Sequence, residues 1–338
     1  MSLFATGGRR ATGLIAVAAS VFVAGAIAAG VGSSHLSLHD VLAALTGGGD
    51  AATRGIVIDF RLARVLLAAC VGAALASAGA SYQAVLRNSL ADPFILGVSG
   101  GAALGAVIFI AIAPSSGLGD SIARPIAAFL GAVLTLVVLF GLARFQGRTE
   151  TTALLLTGVV LNALDSAIIQ FFVSAGDPAR FQGTLSYLMG AMNAPSWRTL
   201  AIVAGLTGVG LAVLLTQAHT MNLLSLGDEE AAQLGVPVDR ATWTIVLAAS
   251  LVTAAAVAFT GIIGFVGLIV PHAMRALFGP DHRILIPASA LAGAATLMLA
   301  DAAARTFLAP AELPVGVVTA LVGGPFFLTL LMKRLRAA

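Results

Sequence analysis

The sequence predicts an all-α, polytopic membrane protein with ten transmembrane helices. Three observations lead there. The 338 residues are 59% hydrophobic with mean hydropathy +1.02, and only 10% are charged. Soluble domains carry about a quarter charged residues, so this chain cannot cover a water-facing surface. Apolar runs of the length that crosses a bilayer, roughly 20 residues, recur from end to end. Thirty-eight glycines and abundant alanine suit membrane helices that pack backbone to backbone.

The ten runs fall at about 12–31, 61–82, 94–113, 122–144, 151–173, 197–217, 241–260, 262–278, 284–304 and 314–333. The first follows Arg9 and Arg10 and ends in small residues. That layout is shared with cleavable signal peptides, and the expectation is a retained first helix. The second opens with Arg61-Leu-Ala-Arg64. It ends in a turn, Leu86-Arg-Asn-Ser-Leu-Ala-Asp-Pro93, where proline stops one helix and starts the third. The fifth opens with Thr151-Thr152, which suits a helix cap, and carries the polar residues Asn162 and Asp165. An acid inside a span is a functional candidate by default; Asp165 either faces a pathway or bonds a neighbouring helix. The eighth is short, Gly261-Ile-Ile-Gly-Phe-Val-Gly-Leu-Ile-Val-Pro-His-Ala-Met-Arg275, and such interrupted helices often border transport routes. His272 there is a hydrogen-bonding residue, with proton relay or ligation as the alternative. In the ninth, Asp301 and Arg305 are four apart and share a helix face. The only sizeable external segments lie around 33–60 and 174–196, so the chain is one membrane domain over 1–338.

Ten spans place both termini on one side, and Arg9, Arg10, Lys333, Arg334 and Arg336 make that side cytoplasmic by the positive-inside rule. Arg87, Arg144, Arg148, Arg240, Arg275 and Arg283 join them. Arg54, Arg61, Arg64, Arg124, Arg180, Arg198 and Arg305 fall on the outer side, where orientation does not require them. Between the sixth and seventh spans lies a polar, helix-forming island, Leu226-Gly-Asp-Glu-Glu-Ala-Ala-Gln-Leu-Gly-Val-Pro-Val-Asp-Arg240, within a cytoplasmic segment of about 222–240. Its three consecutive acids, Asp228, Glu229 and Glu230, serve no need of a membrane fold. They read as a handle for a soluble partner.

Several chemistries are excluded. The single lysine, Lys333, leaves no P-loop of the GxxxxGK[ST] form. If ATP drives this protein, another chain binds it. The single cysteine, Cys70, permits no intrachain disulfide and no Cys-rich metal site. The net charge of +3 comes from arginines scattered at segment ends and does not imply nucleic acid. No catalytic residue and no metal site are expected.

The Arg87-to-Pro93 turn, the Gly264-Phe-Val-Gly-Leu-Ile-Val-Pro-His272 segment and the Ala311-Glu-Leu-Pro-Val-Gly-Val-Val-Thr-Ala-Leu-Val-Gly-Gly-Pro-Phe-Phe327 ending stand in this order along the chain. Together they resemble the iron-chelate (iron–siderophore), haem and cobalamin permease family of ABC importers, over about residues 58 to 334. The resemblance implies a dimeric type II importer permease in the bacterial cytoplasmic membrane. A second copy of the chain, two ATP-binding cassette subunits holding ATP and Mg, and an outer substrate-binding protein are its implied partners, with no cofactor in this chain. It implies that Asp228, Glu229, Glu230, Ala231, Gln233, Leu234 and Gly235 form the helix that docks in the ATPase cleft. Arg61, Arg64 and Arg305 would meet acids of the binding protein, and rim charges of that kind steer encounter. Thr151 and Thr152 match the inner gate. The chain departs from the family at Ala63 and Ser89, where proline is usual, which leaves local geometry at two helix ends open. The alternative is a proton- or sodium-coupled secondary transporter that uses Asp165, Asp301 and His272 as relays. That alternative leaves the acidic island without a purpose.

Overall fold

A computed structural model describes residues 7–32, 38–48, 50–94, 96–112, 120–145, 148–149, 151–176, 178–309 and 311–337. In chain order the helices are α1 (Gly7–Gly30), α2 (Leu38–Leu45), α3 (Ala51–Arg54), a π-helical stretch Gly55–Leu62, α4 (Ala63–Val85), α5 (Val98–Ile112), α6 (Asp120–Ala143) and α7 (Thr151–Ala175). After them come α8 (Pro178–Leu188), α9 (Trp197–Thr216), α10 (Ala218–Leu224), α11 (Asp228–Gln233), α12 (Val238–Thr260), α13 (Val266–Phe278), α14 (His282–Thr306) and α15 (Val315–Ala337). Among the described residues the one strand pair is β1 (Arg144–Phe145) with β2 (Arg148–Thr149). It is antiparallel, with Arg144 opposite Thr149, and closes the turn between α6 and α7.

The ten expected spans correspond to α1, α4, α5, α6, α7, α9, α12, α13, α14 and α15, most with ends within a few residues of the sequence reading. Six of them are long and apolar enough to cross a bilayer unaided: those containing Arg10–Gly30, Ala123–Ala143, Thr152–Ala175, Trp197–Thr216, Val238–Thr260 and His282–Thr306. Helices α5, α13 and α15 offer shorter apolar stretches. The eighth span differs at its start. Its expected first turn, 262–265, is non-helical, and α13 begins only after Phe265, whose φ of +69° is left-handed. That conformation is costly for a residue with a bulky side chain.

The expected outer loop around 33–60 is largely helical. α2 and the π-helical stretch bury Val41, Ala44 and Val57 against one another as a separate small cluster. Asp50 caps α3 by accepting a hydrogen bond from the Thr53 amide at 3.3 Å. The π-helical stretch then runs without interruption into α4. α8 fills the second external segment.

α4 is the hub. From Ala74 through Val85 every residue is buried, and the helix packs against α14, α12, α13 and α9. Lipid is as apolar as leucine, so burying α4 gains little from leaving lipid, and close van der Waals contact must hold it. Its glycines supply that contact. Gly72 of α4 and Gly293 of α14 face one another so closely that a Cβ on either would strike the other's carbonyl oxygen. A Cβ on Gly79 would likewise run into the backbone of Gly267 in α13. Tyr82, fully buried at the inner end, shares a 2.7 Å hydrogen bond with Ser250 of α12.

Gly79→Val is expected to destabilise the protein by about 3 kcal/mol or more, since neither backbone can retreat. Gly141→Ala, with open space around its Cα, should be neutral. Thermal aggregation in detergent compares the two directly.

Candidate functional site

Three polar constellations stand out from the apolar body. The first is the acidic island between α10 and α12. α10 is bolted to the start of α14. The Asn222 side chain donates to Asp281 Oδ1 at 2.7 Å, and its carbonyl oxygen accepts from the His282 amide at 2.8 Å, with His282 Nδ1 also 2.8 Å away. Partial burial pushes the Asp281 carboxyl up, but hydrogen bonds from Asn222 and the Arg283 amide win and hold it below its ordinary value. This tie therefore stands at neutral pH and is lost only as pH falls through that lowered value.

From α10 the chain turns at Leu226-Gly227 into α11. The three acids occupy the first turn of α11, where the positive end of the helix dipole favours them. Asp228 accepts from Arg87 Nη2 at 3.1 Å, which ties α11 to the end of α4. Glu230 folds back over Gly227. Ala231 is fully buried and roots the short helix in the core. Glu229, Gln233 and Gly235 are exposed, and so are Leu226 at 62% and Leu234 at 60%. Two exposed leucines on either side of an acidic turn make a mixed apolar and acidic surface. The acids attract attention in the sequence, whereas the exposure of the leucines emerges only from the fold.

The second constellation is in α7. Asn162 donates to the Phe94 carbonyl, and both Asn162 and Asp165 lie against Gly100 of α5. Three apart, they share one face, and that face is turned inward to a neighbouring helix. The outward face of α7 is apolar, with Leu156, Val159, Val160, Leu164 and Phe171 all more than half exposed. Thr152 is exposed at the first turn of α7. Thr151 begins the helix, and its side chain lies outside the described residues. α15 also turns large apolar residues outward, including Leu321 and Val322, each at 68%.

The third is at the opposite end of the molecule. The fully buried carboxylate of Asp301 sits between Arg64, 3.0 Å from Oδ1, and Arg305, 3.0 Å from Oδ2. The i,i+4 pair expected in the sequence is thus present, with Arg64 added across helices. Arg64 also reaches Glu312 at 2.8 Å. Arg305 donates to the Val31 and Ala28 carbonyls, each at 2.9 Å, and Arg61 donates to the Ala29 carbonyl at 3.2 Å. These are the last carbonyls of α1, which have no partner within their own helix. Two arginines therefore cap α1, and Arg61 and Arg305 are buried in doing so. Three arginines against two carboxylates leave the cluster one net positive charge. The sequence joins Arg61, Arg64 and Arg305 as outer charges, and the structure does bring them together, but around α1 and Asp301. Glu312 had no visible role in the sequence because its partner is 248 residues away.

His272 is half-buried in α13 just after Pro271. The described residues contain no group of three His, Cys, Asp or Glu side chains that could hold a metal ion.

A helical body of ten spans, with the short acidic helix α11 between α10 and α12, is the architecture of a membrane transport permease. The chain belongs to the FecCD transport family, which matches residues 17–333. It is 46% identical over 279 residues to the cobalamin import system permease protein BtuC of Halobacterium salinarum, covering 82% of this chain and 74% of that protein. It is 42% identical over 281 residues to the hemin transport system permease protein HmuU of Yersinia pestis, covering 82% and 84%. A solved chain from an inward-facing conformation of an ABC transporter described as metal-chelate type superposes with a TM-score of 0.83 at 30% identity, covering 96% of this chain and 99% of that one. The protein is a multi-pass transporter subunit of this family and not an enzyme.

Asp301→Asn should cost about 3 kcal/mol or more, because it leaves Arg64 and Arg305 buried beside a neutral amide. Glu312→Gln, at a carboxylate whose side chain is 38% exposed, should cost about 1 kcal/mol or less. Unfolding in detergent, followed by tryptophan fluorescence, measures both.

Proposed function

We propose that this chain is the membrane-spanning subunit of an ATP-driven importer for an organic metal chelate of the cobalamin, haem or iron–siderophore type. It sits in a bacterial cytoplasmic membrane with both termini inside. The observation that carries the reading is α11. It is a short helix with an acidic first turn and two exposed leucines, joined by Asp228 to the end of α4 and flanked by α10, which is locked to α14. A soluble subunit that grips α11 can move the two most central helices of the body. The family membership and the import permeases among the relatives support the direction of transport and the chelate class.

Two copies of the chain pair across the apolar faces of α7 and α15, with the pathway between them. The small hydroxyls Thr151 and Thr152 meet their mates at the inner end. ATP and Mg bind in the paired cassette subunits. Cleft closure on ATP and release after hydrolysis supply the differential contacts that any such switch requires. A substrate-binding protein docks on the opposite face near Arg64, the most exposed of the three clustered arginines. With Arg61 and Arg305 buried against α1, the rim attracts acids weakly and orients the partner more than it holds it. A proton-coupled route through Asp165, Asp301 and His272 loses its middle step, because Asp301 is clamped between two arginines.

Glu229→Lys with Glu230→Lys is expected to leave insertion intact and to cut ATP-driven uptake at least tenfold in proteoliposomes while the associated ATPase still turns over. Leu226→Ser with Leu234→Ser should instead release the ATPase during purification. Uptake assays with labelled cobalamin, haemin and a ferric hydroxamate, each with its binding protein, identify the cargo. Uptake that persists without the ATPase and collapses with the proton gradient would refute the proposal.

A further inference from the structure

Of the outer arginines beyond the ion cluster, Arg124 and Arg198 form no ion pair among the described residues. Both line one cavity of about 540 Å³ between α6, α9 and α12. Arg124 Nε is buried without a hydrogen-bond partner, and the guanidinium lies 5.7 Å from the centroid of the Tyr187 ring. Arg198 is exposed, two residues after the Ser196 cap of α9. The positive end of the α9 dipole therefore points into the same corner. No acidic residue lines the cavity.

Asn193, Ser196 and Thr199 join the arginines as polar lining, and the rest of the wall is apolar, with Phe129, Leu206 and Phe259 among its residues. Phe129 also lines a second cavity of about 710 Å³ between the same three helices, which runs down to Trp243. Trp243 stacks on Phe140 with centroids 3.7 Å apart and closes that end. From Arg124 to Phe140 along α6 the groove extends roughly 24 Å at 1.5 Å per residue, more than the roughly 15 Å of one hydrocarbon leaflet. Exposed Val133, Val137 and Ile202 border it, so it opens sideways toward lipid. It lies away from the apolar faces of α7 and α15.

We infer that this groove is a binding site for an anionic phospholipid of the leaflet opposite α11. The phosphate sits between Arg124 and Arg198, whose planar guanidinium groups match phosphate oxygens in fork geometry. The acyl chains lie along α6 and α12. Charge complementarity selects the headgroup, and the length of the apolar wall selects a lipid over a free anion. The lipid fills a gap that helix packing leaves open, and so joins α6, α9 and α12 into one unit.

The test uses the full permease with its ATPase partners in nanodiscs of equal parts phosphatidylglycerol and phosphatidylcholine, followed by native mass spectrometry of retained lipid. Wild type should enrich phosphatidylglycerol about tenfold, the scale of one charge-assisted hydrogen bond. Arg124→Gln with Arg198→Gln should abolish the enrichment. Arg198→Gln alone, at an exposed position, should reduce it without risk to folding. Leu206→Trp, which narrows the apolar wall and keeps both charges, should lower retention of both lipids. Equal retention of the two lipids by wild type would overturn the site, as would undiminished enrichment in Arg198→Gln and in the double variant. Displacement of the lipid by inorganic phosphate at millimolar concentration would reduce it to a simple anion site and overturn the acyl assignment.

Discussion

The backbone-to-backbone approach of α4 to α14 and α13 is the constraint on which the rest of the structure depends. Within a bilayer, side chains gain little by leaving lipid for protein. A helix buried on all sides must then be held by contact density, and the Gly72–Gly293 and Gly79–Gly267 approaches provide it. They set the distance between the helices, and with it the geometry at both ends. At the outer end, Arg64 of α4 can reach Asp301 of α14 only because the two helices lie this close. At the inner end, Gln83 accepts from Arg275 of α13 at 2.9 Å for the same reason.

The two polar ends do different work. The outer cluster is closed: its charges satisfy one another and the last carbonyls of α1, and it has one net charge to spare. Buried ion pairs of this kind add little net stability over an apolar equivalent, though breaking one is costly. What the cluster provides is register, since α1, α4 and α14 can satisfy it in one arrangement only. The inner end is open. Asp228 and Asn222 tie α10 and α11 to the body by a few exposed or half-exposed hydrogen bonds, and the remaining acids and leucines face water. A closed polar cluster holds its shape, whereas an open one leaves its side chains available for contact.

The spans were legible because a bilayer imposes length and apolarity on every crossing, and those survive in the sequence without any contact being known. The acidic island was legible for the converse reason, as the one stretch that breaks the apolar rule. Partnerships between distant residues were not. Glu312 and Asn222 look like ordinary loop and helix-end residues, and only the fold brings them to Arg64 and to His282. Asp165 shows the same limit: its polarity was visible, but which way α7 turns was not, and the turn places it against Gly100. The arginines at 61, 64 and 305 gave a correct grouping, yet the carbonyls of α1 that occupy two of them carry no sequence signal at all. The π-helical entrance to α4 and the helix α8 were hidden too, because neither has the length or apolar periodicity that marks a span.

These contrasts divide the molecule into a body and two free faces. Helices α4, α12, α13 and α14 pack on one another, with glycine contacts joining α4 to α13 and α14 and ion pairs joining α4 to α14, so they cannot slide past one another without breaking several contacts together. α7 and α15 contribute mostly apolar, exposed surface and few polar ties to that body. The acidic helix α11 is joined to the body, through Arg87 and α4, and not to the free faces. A pull on α11 therefore moves the body as a unit, and relative motion concentrates where polar ties are fewest, along α7 and α15. A pathway bordered by those faces would open and close without disturbing the core. That arrangement leaves the open face of α7 bare of charge, its one acid, Asp165, being buried against α5.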